Sequence, residues 1–196
     1  MSVDVVRFDA TTRLAHWATA ALALAVLATG TVLYVPELSA FVGRRAVLRT
    51  VHVWCALALP LPVLVGVLRP RRGRLLRADL VELGRWREAD RRWLRKTTRV
   101  SPEGKFNGGQ KLLSALLGAG FAAQLLSGVV MQWHDPFPDP WRTGATFVHD
   151  WAYLLLVVLV AGHLVRASEE PELRRAMRHG TVDARWAARE RPTWRV

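Results

Sequence analysis

Residues 146–165 read TFVHDWAYLLLVVLVAGHLV, an apolar run with a histidine near each end, His149 and His163. Only Asp150 adds charge to it, and its length matches the roughly 20 residues that a helix needs to cross a bilayer. The two histidines are 14 positions apart. At 3.6 residues per turn that interval is nearly four whole turns, so both side chains leave the same face, separated by roughly 21 Å along the axis. One membrane helix would therefore present two imidazoles to one interior at two heights.

Three more runs of the same kind lie at about 14–34, 48–68 and 112–133. Backbone groups in hydrocarbon must pair within their own segment, so all four are expected to be helices. The expected fold is an all-α integral membrane bundle of four spans forming a single domain over 1–196. Trp17, Trp54, Trp133, Trp141 and Trp151 fall near the span ends, where amphipathic rings favour the headgroup level. Pro60 and Pro62 should kink or loosen the second span.

The chain is 51% hydrophobic yet carries 22% charged residues and a net charge of +12. In a soluble domain that excess would suggest nucleic acid, but here the charge sits between the apolar runs. Of 28 Lys and Arg, 14 lie in the loop 69–111, eight in the tail 166–196, and Arg7 and Arg13 precede the first span. The positive-inside rule then puts both termini and the long loop in the cytoplasm, with a cytoplasmic membrane location. The charge reports topology and contact with anionic lipid, not nucleic acid. The lone Cys55 forms no disulfide framework or thiolate cluster and reads as a small buried hydrophobe.

Topology assigns each intramembrane histidine a depth. His16 and His163 fall near the cytoplasmic ends of their spans, His52 and His149 near the outer ends, so the sensible pairs are His16 with His163 and His52 with His149. Ligating residues inside a membrane are functional candidates by default. Interhelical hydrogen bonding by structural histidines, as in a haem-free transporter or scaffold, is the competing reading. Zinc or copper fits less well, because two histidines per depth without Cys or carboxylate complete neither ligand set. Two axial histidines do complete haem iron, so the pattern predicts two haems, each with both axial positions filled. Gly30 and Gly66 stand 14 positions after His16 and His52; each would share the ligand face at the depth of the other haem. Glycine supplies the missing side chain that a flat macrocycle needs, although it is also common in membrane helices. Arg13, Arg49 and Arg166 lie three residues from ligands and could pair haem propionates, or could simply set topology. His134 and His179 lie outside the spans and read as ordinary polar residues.

The remaining segments are short. Leu76, Leu80 and Leu83 recur at helical spacing, which suits either a short interfacial helix or a solvated loop. The tail predicts a helix over 172–178 that stops at Gly180. Residues 104–111, GKFNGGQK, combine glycines, amides and lysines at the start of the third span. They could hydrogen-bond a quinone carbonyl, or form a capping turn with Asn107 near the N-cap.

Five stretches carry a family resemblance: Arg13-Leu14-Ala15-His16-Trp17, His52, GKFNGGQK, His149 with His163, and the tail pattern Met177, Gly180, Val182, Trp186-Ala187, Pro192, Trp194. Together they resemble the cytochrome b556 (gamma) subunits of membrane-bound respiratory formate dehydrogenases, within the wider diheme cytochrome b561-like group. The histidine set is shared with hydrogenase cytochrome b subunits; GKFNGGQK and the tail point to formate dehydrogenase. The resemblance implies b-type haems on the pairs His52/His149 and His16/His163. It also implies a menaquinone-type site near the inner haem, shaped by Asn107, Gly109 and Gln110 beside His163. Partners would be an iron–sulfur (beta) subunit on the outer face and a catalytic (alpha) subunit, with electrons crossing the membrane to quinone. Val53 stands where the family has proline and Gly108 where it has an alanine-like residue. Neither change removes a ligand.

Overall fold

The computed structural model describes residues 3–95 and 104–194. In chain order the elements are β1 (Asp4–Val6), α1 (Ala10–Tyr34), α2 (Pro36–Val42), α3 (Arg45–Ala58) and α4 (Leu61–Leu68). They continue with α5 (Arg74–Gly84), α6 (Glu88–Leu94), α7 (Gly108–Gln132), α8 (Asp139–Glu169), α9 (Pro171–His179), β2 (Thr181–Asp183) and α10 (Ala184–Glu190). Residues 96–103 of the central loop lie outside the described residues.

Among the described residues four stretches are long and apolar enough to cross a membrane: α1, α3 with α4, α7 and α8. Their apolar side chains are turned outward, as lipid-facing helices require. Leu24, Trp54, Leu68, Leu126 and Val158 are all exposed.

The spanning helices start before the apolar runs that announced them, and at α1 and α7 the reason is a local cap. α1 starts at Ala10 because Asp9 caps it, accepting from the Thr12 amide at 2.7 Å. α7 starts at Gly108 on a reciprocal capping box. The Gln110 amide donates to Asn107 Oδ1 at 2.8 Å, and the Asn107 amide donates to Gln110 Oε1 at 3.0 Å, which satisfies two of the free N–H groups at the helix start. α8 is unbroken over 31 residues and carries both His149 and His163. The second span is interrupted between Ala58 and Leu61, where Pro60 removes a backbone donor.

The chain divides into two compact units, residues 14–65 with 119–158, and residues 1–13, 66–118 and 159–196. The second of these corrects the all-α expectation. β1 and β2 pair antiparallel with Val5 opposite Val182, so the N-terminal lead-in is tied to the tail. Two three-residue strands separated by most of the chain leave no hairpin signal to read.

Around that pair sits a small core of Ala176, Val182 and Ala187, flanked by Phe8, Trp186 and Trp194. Arg7 is 1% exposed. Its guanidinium lies 5.1 Å from the Trp194 ring and 5.6 Å from Trp186, and donates to the Lys105 carbonyl at 2.6 Å. Burial and then the neighbouring Arg191 lower the Arg7 pKa to about 9, with Asp79 opposing, so the group stays cationic at neutral pH.

The central loop folds into α5 and α6. Leu76 faces inward on α5, but Asp79 joins it while Leu80 is exposed. Of the two readings that the leucine spacing suited, the helix is the one observed, and its inner face carries Asp79 in an ion pair where Leu80 is exposed. Lys105 Nζ donates to both Asp79 oxygens at 2.6 and 2.7 Å. A second buried pair joins Lys111 to Asp90 at 2.7 Å, both side chains fully enclosed. α9 ends at Gly180, whose φ of 92° lies in the left-handed region.

Candidate functional site

In the unit formed by residues 14–65 and 119–158, α1, α3, α7 and α8 enclose a cavity of about 550 Å³. That volume lies within the roughly 300–1,000 Å³ of small-molecule and cofactor sites. His52 from α3 and His149 from α8 face each other in its wall, with ring centroids 6.3 Å apart and planes at 66°. A metal held between two imidazole nitrogens, at about 2 Å from each, needs ring centroids about 6 Å apart. The pair therefore fits one ion ligated from both sides, and the cavity gives room for a macrocycle around it.

Glycines make that room. A β-carbon on Gly30 would lie 3.3 Å from His52 Cε1, and one on Gly128 3.4 Å from His149 Cε1. Gly30 thus sits at the depth of His52, where its interval from His16 placed it. Gly66 contributes its carbonyl to the turn after α4, where a β-carbon on Gly73 would come to within 2.1 Å of it, so Gly73 is the glycine that permits the close turn.

Two hydroxyls on the same helix turns hold the histidines. Thr29 Oγ1 lies 3.0 Å from His52 Nδ1, and Ser127 Oγ lies 3.0 Å from His149 Nδ1. Gln124 sits nearby, its side-chain nitrogen donating to the His149 carbonyl at 3.0 Å. Sequence reasoning missed Thr29, Gln124, Ser127 and Gly128. The readable signal was polar side chains inside apolar spans, next to glycine in two cases.

Charge is confined to part of the wall. Arg49 donates to Gln132 Oε1 at 3.0 and 3.2 Å, and Arg45 donates to Ser39 Oγ at 2.8 Å; both line the cavity. The other two arginines singled out by sequence have different partners. Arg13 donates to the Arg178 carbonyl at 2.5 Å, and Arg166 pairs with Glu169 at 2.7 Å.

The profile of prokaryotic cytochrome b561 matches residues 7–176. The chain belongs to the prokaryotic cytochrome b561 family. It is a multi-pass membrane cytochrome, and membership implies binding of haem b. Among curated proteins no sequence matches it significantly. The other two histidines within the spans of this cytochrome lie on α1 and α8. His16 has the Trp17 ring edge-on at 5.3 Å, and His163 is 14 positions along α8 from His149.

The GKFNGGQK run has a structural account for nearly every residue. Lys105 pairs with Asp79, Phe106 stacks on Phe8 at 6.3 Å, and Lys111 pairs with Asp90. A β-carbon on Gly108 would come within 2.6 Å of the Asp90 carbonyl oxygen, and one on Gly109 within 2.8 Å of the Trp93 ring. Asn107 and Gln110 cap α7 through their amide oxygens, which leaves their amide N–H groups as donors.

Proposed function

We propose that this cytochrome is the diheme electron-carrying membrane subunit of a respiratory formate dehydrogenase. Its electrons would come from an iron–sulfur subunit on the outer face and leave to menaquinone or another quinone at the cytoplasmic side. The observation that carries the diheme reading is the facing pair His52 and His149 in a cavity of cofactor size, on a helix that repeats its histidine 14 positions later. By the same phase argument His163 would pair with His16 for the second haem. Haem supplies one-electron carriage when bound. This chain's residues hold it from both sides, enclose it in apolar walls, and place cationic Arg45 and Arg49 on the cavity lining.

Formate as electron source is supported by the resemblance in GKFNGGQK and in the tail. The quinone site would use Asn107, Gly109 and Gln110 near His163, with the free amide N–H groups as donors to a quinone oxygen. The positive-inside count supports cytoplasmic termini in the cytoplasmic membrane. A second reading keeps the haems and replaces the donor with a membrane-bound hydrogenase, since the family spans both kinds of partner.

Haem content and donor are tested together in membranes. Two haems per chain are expected, both low-spin and both reducible by formate when the partner subunits are present. Reduction by hydrogen and not by formate would select the second reading. A content near zero, in cells supplied with haem, would overturn the diheme reading. His52→Ala or His149→Ala should remove the outer haem first; loss of the inner one alone would overturn the pairing.

A further inference from the structure

The two facing histidines are held by the same small device, built twice from unrelated segments. On α1, Thr29 and Gly30 are consecutive and meet His52. On α7, Ser127 and Gly128 are consecutive and meet His149. In each case the hydroxyl approaches Nδ1 and the following glycine gives way to Cε1. The ring is thereby fixed at two adjacent corners.

The direction of the hydrogen bonds follows from where the hydroxyl protons go. Thr29 Oγ1 donates to the Ala25 carbonyl at 2.7 Å, and Ser127 Oγ donates to the Ala123 carbonyl at 2.7 Å. A hydroxyl has one proton, so toward the imidazole each oxygen is left as acceptor. At His52 this places the ring proton on Nδ1 and leaves the Nε2 lone pair free; at His149 the Gln124 side-chain nitrogen, 3.0 Å from Nδ1, is a donor and opposes that tautomer.

We propose that Thr29 is a positioning residue for the haem ligand His52: it holds the ring in the Nδ1–H tautomer and raises the electron donation of Nε2. This inference rests on the haem reading above and deepens it. A ligand imidazole that donates its other N–H to an acceptor is a stronger base toward the metal. A stronger base favours the oxidised, more positive iron, so the Thr29 hydroxyl lowers the potential of the haem in this cavity. At His149 the Gln124 donor and the Ser127 hydroxyl meet the same Nδ1, each at 3.0 Å, so Ser127 is expected to have little net effect on the potential.

The experiment is a redox titration of the haems in membranes holding the full chain, with low-temperature absorption spectra. The variants are Thr29→Val and Ser127→Ala, with the hydroxyl-preserving Thr29→Ser and Ser127→Thr beside them. The expected result is a higher midpoint potential for one haem in Thr29→Val, little change in Ser127→Ala, and a wild-type value in the preserving pair. Loss of that haem from Thr29→Val, with retention in Thr29→Ser, would equally support a role for the hydroxyl. An unchanged or lowered potential in Thr29→Val with haem retained would overturn the inference, as would a Thr29→Ser variant that behaves like Thr29→Val. Absence of haem from the wild-type chain would instead overturn the underlying reading.

Discussion

A β-carbon on Gly128 would stand 3.4 Å from Cε1 of His149, an ordinary contact distance with nothing to spare behind it. Gly128→Ala should therefore keep the cofactor, while Gly128→Leu should fill the cavity beside the imidazole and expel it. Haem content per chain measures this, with far-ultraviolet circular dichroism confirming that the helices remain. Full haem occupancy in Gly128→Leu would show that the cavity is not the cofactor's.

The Lys105–Asp79 pair is nearly enclosed, each side chain 7% exposed. Burial raises the Asp79 pKa and lowers that of Lys105, and in each case the partner opposes the shift. Removing one partner leaves the other charge buried and alone, at a cost of about 3–5 kcal/mol. Asp79→Asn should accordingly speed proteolysis of the loop and tail. The double variant Asp79→Leu with Lys105→Met should recover most of the loss. If the double variant is no better than the single one, uncompensated charge is not the cause.

Glu82 gives an acid dependence. Its carboxyl sits below its ordinary 4.5, chiefly because Arg87 hydrogen-bonds it, with burial opposing. A depressed folded pKa stabilises fully above the unfolded value, and that stability is lost as pH falls through the folded one. Hydrogen exchange over α5 and α6 should be flat in this respect above about pH 4.5 and rise progressively below it. Glu82→Gln should remove that slope; an unaltered slope would assign the acid sensitivity elsewhere.

Gly108 and Gly109 permit α7 to start against α6. The obstacle at Gly108 is the Asp90 backbone, and at Gly109 it is the movable Trp93 ring. Overpacking of this kind costs about 1–3 kcal/mol. Gly108→Ala is expected at the upper end and Gly109→Ala at the lower, read as the midpoint of thermal loss of haem absorbance. Equal effects would mean that the Trp93 ring has no freedom to move.

Span number, the segregation of basic charge and the candidate ligands were legible from the chain alone, because bilayer thickness imposes length and helical pitch imposes phase. The 14-position interval on α8 needs no tertiary information. Three things were not legible. The pairing of β1 with β2 joins segments at opposite ends of the chain, and no local signal marks strands of three residues. Asp79 turns inward on α5 because Lys105, distant in sequence, meets it there, which the leucine pattern alone does not show. The hydroxyl–glycine steps Thr29-Gly30 and Ser127-Gly128 look like ordinary membrane-helix residues until folding sets them against His52 and His149. Periodicity says which side of a helix a residue leaves from; only packing says what it meets.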